Sequence, residues 1–485
     1  MISTNVLVLM SDEHSPKFLG AARHPFIQTP NLDSLAARGT RFTSAYTACP
    51  ICVPARASFA VGRYVHDIGY WDNADAYDGS IPSWHHELRD RGHRVVSIGK
   101  LHFRGRNGDD HGFSEEILPM HIIDGIGDVK GLIRENIPKR KGGDKMAHKA
   151  GPGESPYTVY DRYIASRAQI WLHEEAPKWR DRPWVLFVSF VLPHFPLTAP
   201  PSWFYRYWRQ DLPLPKRYAK EERPRHPFTD VYEDTVDYDT HFTSEADVKR
   251  AIAGYSGLVS TMDENVGYVL GALRDAGLAD STRVLYTSDH GDNAGARGLW
   301  GKSTLYEESA GVPLIVAGPD IPRGRVVSTP ASLIDCAPTI LQAVGAAPSV
   351  RGRPLPGASL FDLAEGAAPA RPVISEYHAT GSVGGAFMLR FRNWKYCRYI
   401  DYPPQLFDLE SDPEELNDLA PDPRCADVLA EGERLLRLEL DPEEVDSRAK
   451  RRQAELLATF GGREAAIARG DLGFTPAPGT AAEMS

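Results

Sequence analysis

Residues 5–14 read NVLVLMSDEH and residues 283–292 read RVLYTSDHGD. Each is a short apolar run that stops abruptly in carboxylates and a histidine. Apolar runs without polar alternation suit strands buried on both faces, as in a parallel sheet covered by helices. Two further stretches follow the same plan. Residues 94–102, RVVSIGKLH, lead into Lys100 and His102, and residues 184–194, WVLFVSFVLPH, lead into His194. Residues 313–317, PLIVA, add another strand. Helical patterns lie between them: residues 32–38, behind Thr29 as N-cap and Pro30 as first helical position, and residues 245–276. The predicted fold is α/β, a mostly parallel sheet sandwiched by helices. Ligands of open α/β sheets bind beyond the carboxyl ends of the strands, and the polar residues gather there.

The pattern changes near residue 370. Residues 372–377, 386–392, 395–400 and 405–409 read as short strands joined by tight turns, and residues 427–440 as a closing helix. The expected organisation is a catalytic α/β part over 1–368, a small antiparallel α+β subdomain over 369–440 and a helical tail over 441–485 that forms oligomer contacts. Residues 104–157 and 200–244 show no clear regular structure and are expected to be lids or interfaces. The basic run at 139–149 reads as a solvated loop. The end, TPAPGTAAEMS at 475–485, reads as loose unless a partner subunit holds it.

The 485 residues are 42% hydrophobic and 25% charged, with a formal net charge of −10. No global basic field exists for a nucleic-acid scaffold. The first apolar run, residues 6–10, is too short for a signal peptide or a membrane span, so a cytoplasmic protein with no membrane partner is expected. Five scattered cysteines imply no disulfide framework.

Asp12, Glu13, Asp289 and His290 stand at two strand ends. Adjacent carboxylates there need a neutralising cation. Oxygen ligands suit Ca²⁺, Mg²⁺ or Mn²⁺, and a histidine moves the balance toward Mn²⁺; turn and cap roles account for the same residues without a metal. Arg56, Lys100, His102, His194 and Lys302 are cationic or titratable groups suited to hold a doubly charged tetrahedral oxyanion at that edge. Residues 47–63, TACPICVPARASFAVGR, leave three readings open: a Cys49–Cys52 dithiol, half of a metal site, or a single cysteine starting a helix whose N-terminus would acidify it.

Cys52-x-Pro54-x-Arg56 with Gly62-Arg63 resembles the signature of the formylglycine-dependent type I sulfatases of the alkaline phosphatase superfamily. Asp12-Glu13, Thr29-Pro30-Asn31-Leu32-Asp33, Gly99-Lys100-x-His102, Pro193-His194-x-Pro196, Ser288-Asp289-His290-Gly291 and Lys302 follow in that family's order. So does Leu406-Phe407-Asp408-Leu409, continued by Asp412-Pro413-x-Glu415-x-Asn417-x-Leu419. The resemblance spans about residues 4–420. It implies an alkaline-phosphatase-like fold and a sulfuric ester hydrolase acting on a small organic sulfate. It implies that a maturation enzyme oxidises Cys52 to formylglycine. One hydroxyl of the hydrated aldehyde then attacks sulfur and expels the alcohol, and the other helps eliminate sulfate. By the same resemblance Asp12, Glu13, Asp289 and His290 hold one divalent metal, Ca²⁺ with Mn²⁺ as the alternative. Arg56 holds the nucleophile and metal region, Lys100 and Lys302 bind sulfate oxygens, and His102 contacts the gem-diol. His194 and Lys302 are candidates to protonate the leaving oxygen, and Arg63 buttresses the nucleophile's helix. Glu13 departs from the family's usual Asp, Asn or Gln, and His290 from its common Asn.

In detail the motifs resemble the choline-sulfatase-related branch: Trp71-Asp72-Asn73-Ala74, His111-Gly112-Phe113 and residues 295–300, GARGLW. Asn73, Trp71 and Trp300 are therefore expected at the substrate, with Tyr70, Trp84 and Tyr306 as further candidate walls of a cation cage and Asp72 or Glu376 as its counter-charge; core packing is the plainer role for these aromatics. A homodimer or homotetramer is expected. The competing readings are a phosphonate monoester or phosphodiester hydrolase with the same nucleophile, a non-catalytic protein of the same fold, and a Cys-x-x-Cys oxidoreductase.

Overall fold

The computed structural model describes residues 3–482. Its first strand, β1 (Asn5–Asp12), shows why the apolar runs are continuous. Leu7 and Leu9 point into one core, shared with Leu186 and Val188. Val6, Val8 and Met10 point into the other, shared with Val185 and Phe187. Side chains alternate between faces along a strand, so a strand covered on both sides must be apolar at every position. Each such side chain contributes ~1.5–3 kcal/mol when fully buried.

The central sheet has eight strands. With β2 (Gly39–Phe42), β3 (Val95–Lys100), β4 (Glu115–Met120), β5 (Val185–Pro193), β6 (Thr282–Ser288), β7 (Leu314–Ala317) and β8 (Arg325–Val327), its order is β8-β2-β7-β6-β1-β5-β3-β4. The run β6-β1-β5-β3-β4 is parallel throughout. Only β7 runs antiparallel to its neighbours. The expected mostly parallel sheet is present, and it brings the carboxyl ends of β1, β3, β5 and β6 to one edge.

Helix α1 (Pro30–Ala37) begins at the proline as expected. The Thr29 hydroxyl does not cap it but donates to Asp33, its oxygen accepting from the Gly20 amide. Helix α2 (Cys52–Val61) and α3 (Pro156–Ile170) lie on opposite faces of the sheet. All ten residues of α2 are buried. Pro54 fits its first turn, where amides have no intrahelical partner to lose. Gly62 ends it at φ 72°, and a Cβ there would sit 2.7 Å from that of Ala337. The Arg63 carbonyl accepts from Ser58, and its guanidinium reaches the Pro354 carbonyl at 2.7 Å.

The two stretches expected to lack regular structure contain it. Residues 104–157 include edge strand β4, and residues 200–244 include α4 (Pro201–Trp208) and α5 (Pro227–Val236). Both helices are short and aromatic, each starts at a proline, and their apolar faces pack inward at Phe204, Tyr207, Phe228 and Tyr232, a period obscured by the surrounding prolines and charges. Long helix α6 (Glu245–Asp275) covers the sheet. Strands β9 (Val373–Tyr377), β10 (Ala386–Phe391), β11 (Trp394–Tyr399) and β12 (Tyr402–Asp408) form the four-stranded antiparallel sheet. Helix α7 (Ala426–Glu439) packs on it, and α8 (Pro442–Thr459) and α9 (Gly462–Ala468) form the helical tail. Among the described residues no helix is long and apolar enough to cross a membrane.

The terminal segment is not loose as far as residue 477. Ala477 is 3% exposed, and the Thr475 carbonyl accepts from the Tyr157 hydroxyl. Residues 483–485 of the stretch read as loose lie outside the described residues.

Candidate active site

Four strand ends and one helix start converge. Bulged pairing carries the end of β1 from Met10 beside Ser189 to Asp12 beside Pro193. Next, Glu13 takes a left-handed φ of 69° and His102, after β3, a φ of 55°. Non-glycine residues in this region are costly and gather at functional sites.

Arg56 is 2% exposed and organises the cluster. Its Nε donates to Asp289 Oδ2 at 2.7 Å and its Nη2 to Asp12 Oδ2 at 3.3 Å. Its Nη1 donates to the Lys100 carbonyl at 2.8 Å and to Ser189 Oγ at 2.9 Å. Lys100 also pairs with Asp12. Burial alone would raise the pKa of Asp12, but the charges of Lys100, Arg56 and Lys302 hold it well below the usual carboxylate range. Removing one partner from such buried pairs leaves an uncompensated charge, at a cost of ~3–5 kcal/mol.

Cys52 opens α2. Its Sγ lies 3.1 Å from His290 Nε2, 3.3 Å from Lys302 Nζ and 3.6 Å from Asp12 Oδ1. The expected acidification by the helix N-terminus is reversed: burial, with Asp12 beside it, pushes the thiol up to about 12 against the pull of Lys302 and Lys100. Cys49 and Cys52 are both buried and free, with no disulfide between them.

Lys302 Nζ lies 2.7 Å from His194 Nε2 and 3.1 Å from Glu13 Oε2. His194 donates through Nδ1 to the Phe195 carbonyl at 2.6 Å. Burial and the Lys302 charge hold this imidazole well below its usual pKa, while Lys302, despite burial, is held well above its own by Cys52 and Glu13. The pair is therefore an ammonium donating to a neutral imidazole.

Asp12, Cys52, Asp289 and His290 each offer an atom within 4.8 Å of the others, as do Asp12, Glu13 and His194. Two observations fit a cation here. His290 Nδ1 donates to the Gly291 carbonyl at 3.0 Å, which leaves the Nε2 lone pair facing the carboxylates. Glu13 Oε1 is buried without a partner. Burial, opposed by Lys302 and assisted by Asp292, raises the Glu13 pKa to about 8.

The cluster opens into a cavity of roughly 130 Å³. Cys52, His102, His194, Lys302 and Asn73 line it, and the Asn73 side-chain oxygen accepts from the Val53 amide at 3.1 Å. Trp71 and Trp300 do not line it. Trp71 packs on His378 with ring centroids 5.1 Å apart, and Trp300 stacks on Phe242 at 4.1 Å. Tyr70, Trp84 and Tyr306 are also absent from its walls; Asp72 is bonded to Gln453, and Glu376 to His66 and His378. The predicted cage is thus core packing.

The walls include groups the sequence reading missed. Phe195, Tyr232, Tyr238 and Phe474 face the cavity. Thr475 Oγ1 lies 3.0 Å from His102 Nε2. Arg140, from the run read as solvated, instead lines the cavity and donates to Asp128 at 2.8 and 2.7 Å and to Asp471 at 3.1 Å. Half-buried Asp128 and buried Asp471, the latter far away in sequence, draw it inward. A polar loop and a Pro-Gly tail carry no local signal for that pairing.

The doubly covered sheet, with buried carboxylates and a helix-start cysteine at one edge, has the alkaline-phosphatase-like fold. The comparisons with known proteins agree. The Sulfatase family model matches residues 4–346, and the model for the C-terminal part of N-sulphoglucosamine sulphohydrolase matches residues 295–443. A choline-sulfatase of Rhizobium meliloti is 34% identical over 433 residues, covering 87% of this chain and 83% of that protein. Arylsulfatase K of Danio rerio is 29% identical over 460 residues, covering 90% and 84%. The crystal structure of a phosphonate monoester hydrolase of Agrobacterium radiobacter superposes with a TM-score of 0.72 at 23% identity, covering 90% of this chain and 95% of that one, a likeness of fold alone. The chain belongs to the sulfatase family and is a hydrolase of sulfuric esters.

Proposed function

We propose that the chain cleaves a small organic sulfate monoester with a formylglycine made from Cys52 and one divalent cation. The observation that carries this reading is the position of Cys52: first residue of α2, ahead of Pro54 and Arg56, with Sγ between His290, Lys302 and Asp12. A thiol raised to about 12 is a poor nucleophile at neutral pH. Sγ marks the place that the hydrated aldehyde's oxygens would take. That group supplies a hydroxyl to displace the alcohol and a second hydroxyl through which sulfate can leave.

The donors Asp12, Glu13, Asp289 and His290 would hold the cation, Ca²⁺ first and Mn²⁺ as the alternative, and it would supply positive charge at the sulfate oxygens. Arg56 fixes Asp12 and Asp289 in place. Lys100 and Lys302 offer ammonium groups to the sulfate. Lys302, donating to neutral His194, is placed to deliver a proton toward the departing alcohol, and His102 faces the same cavity to assist sulfate elimination.

A cavity of roughly 130 Å³ is well under the ~300–1,000 Å³ of drug-sized sites, which favours a small alcohol. The choline-sulfatase relative suggests one such alcohol; the aromatics available to it are Phe195, Tyr232, Tyr238 and Phe474. A phosphonate monoester is the second reading, favoured by the shared fold. Relative kcat/KM for a sulfate and a phosphonate monoester of the same phenol separates the two: a ratio favouring sulfate is expected, and a ratio favouring phosphonate would overturn the assignment.

A further inference from the structure

His111, Glu116 and His121 have no part in the chemistry above. They lie on edge strand β4 and its two flanking turns, five residues apart each time. Glu116 Oε1 is 2.8 Å from His111 Nδ1, and its Oε2 is 3.4 Å from His121 Nε2. One ligand atom from each of the three lies within 4.8 Å of the other two, and the imidazole centroids are 5.3 Å apart. The His111 side chain is 4% exposed, and those of Glu116 and His121 are 23% and 20% exposed. We infer that these three residues form a second metal site, specific for a borderline divalent cation such as Zn²⁺.

The donor set carries the choice of ion. Two imidazoles and one carboxylate suit Zn²⁺, Co²⁺ or Ni²⁺, whereas Ca²⁺ and Mg²⁺ require more oxygens than one glutamate supplies. Three protein ligands with a partly open side leave a position for water. Neighbouring Glu115 pairs with Arg94, while Glu116 faces the two imidazoles. The far nitrogens, His111 Nε2 and His121 Nδ1, are buried without partners. Outer-shell acceptors on such nitrogens typically strengthen a metal site ~10–100-fold, and this site lacks them.

The location gives the site a consequence. Met120, beside His121, accepts the backbone amides of Leu101 at 3.1 Å and His102 at 2.8 Å through its carbonyl, and Ile122 lines the catalytic cavity. A cation joining His121 to His111 fastens the turn that carries the His102 backbone. It shares no ligand with the Asp12 cluster and does not depend on the chemistry at residue 52.

The test is the zinc content of the full chain, kept in excess Ca²⁺ to fill the first site and then equilibrated with micromolar Zn²⁺. One equivalent of zinc is expected in the wild type, lost in Glu116→Gln and in His121→Asn. Co²⁺ in place of Zn²⁺ is expected to give a visible ligand-field band in the wild type alone. Zinc should raise Tm of the wild type and leave that of either variant unchanged. Since His121 is partly exposed, its variant carries the test should Glu116→Gln not fold. No zinc equivalent in the wild type, or equal zinc in wild type and folded variants, overturns the site and leaves a hydrogen-bonded His-Glu-His group.

Discussion

Among single residues, Arg56 bears the most. It is the only residue in the cluster that touches both Asp12 and Asp289 and also the end of β3. Arg56→Ala is expected to abolish turnover and to cost ~3–5 kcal/mol in urea unfolding, because two buried carboxylates lose their counter-charge; a variant as stable as wild type would contradict the role. Cys49→Ser should keep activity and Cys52→Ala should lose it, whereas a dithiol enzyme would lose activity in both. A second buried group gives a pH dependence. Burial opposes protonation of His66, but Glu376, 2.8 Å away, raises its pKa; burial opposes ionisation of Glu376, but His66 and His378 lower its pKa. A raised histidine stabilises the fold below its unfolded pKa of ~6.5, and the contribution fades as pH rises through the folded value. The lowered glutamate contributes above ~4.3 and fades as pH falls through its own folded value. His66→Gln should therefore cost ~1–3 kcal/mol near pH 6 and measurably less at pH 9; equal losses at both would remove the ion pair from the stability of the fold.

At the scale of elements, α2 and the terminal segment make opposite points. The start of α2 was readable because Pro54 marks its first turn and because its residues lead a motif. Gly62→Ala puts a Cβ at φ 72° against Ala337, so a loss of ~1–3 kcal/mol and a lower Tm are expected; an unchanged Tm would show that the turn relaxes freely. Residues 471–477 were not readable. Their Pro, Gly and Ala say loop, while their fixation comes from partners hundreds of positions away: Lys130 and Arg140 for Asp471, Tyr157 and His102 for Thr475. Thr475→Val keeps the shape and deletes the hydroxyl beside His102. Lower kcat with restoration in Thr475→Ser is expected; unchanged kcat would make the segment a passive wall. The aromatic cage failed for a related reason. Trp71, Trp84 and Trp300 satisfied a recognition pattern, but large apolar rings near strand ends serve equally to fill the core, and here that is where they lie.

For the molecule as a whole, the sheet was legible because four separate apolar runs stopped in charged residues, and burial on both faces leaves no freedom in such strands. The antiparallel strands β9 to β12 were legible from their length and turns. The short helices of residues 200–244 were not, because proline and charge hide a two-turn period. The cluster of Asp12, Glu13, Asp289 and His290 ties the ends of β1 and β6, so cation removal should act on the entire fold. Chelation is expected to abolish activity and lower Tm, both restored by Ca²⁺ or Mn²⁺; a chelated protein with full activity would remove the cation from the reaction. All of these expectations meet at one atom position. Peptide mass spectrometry across residues 47–63 of the chain, produced together with a formylglycine-forming maturation enzyme, is the most direct measurement. A residue 52 lighter than cysteine by the exchange of sulfur for a carbonyl oxygen, in protein that releases sulfate from an ester, is the expected result. Unmodified cysteine in protein that hydrolyses the ester at full rate would contradict it.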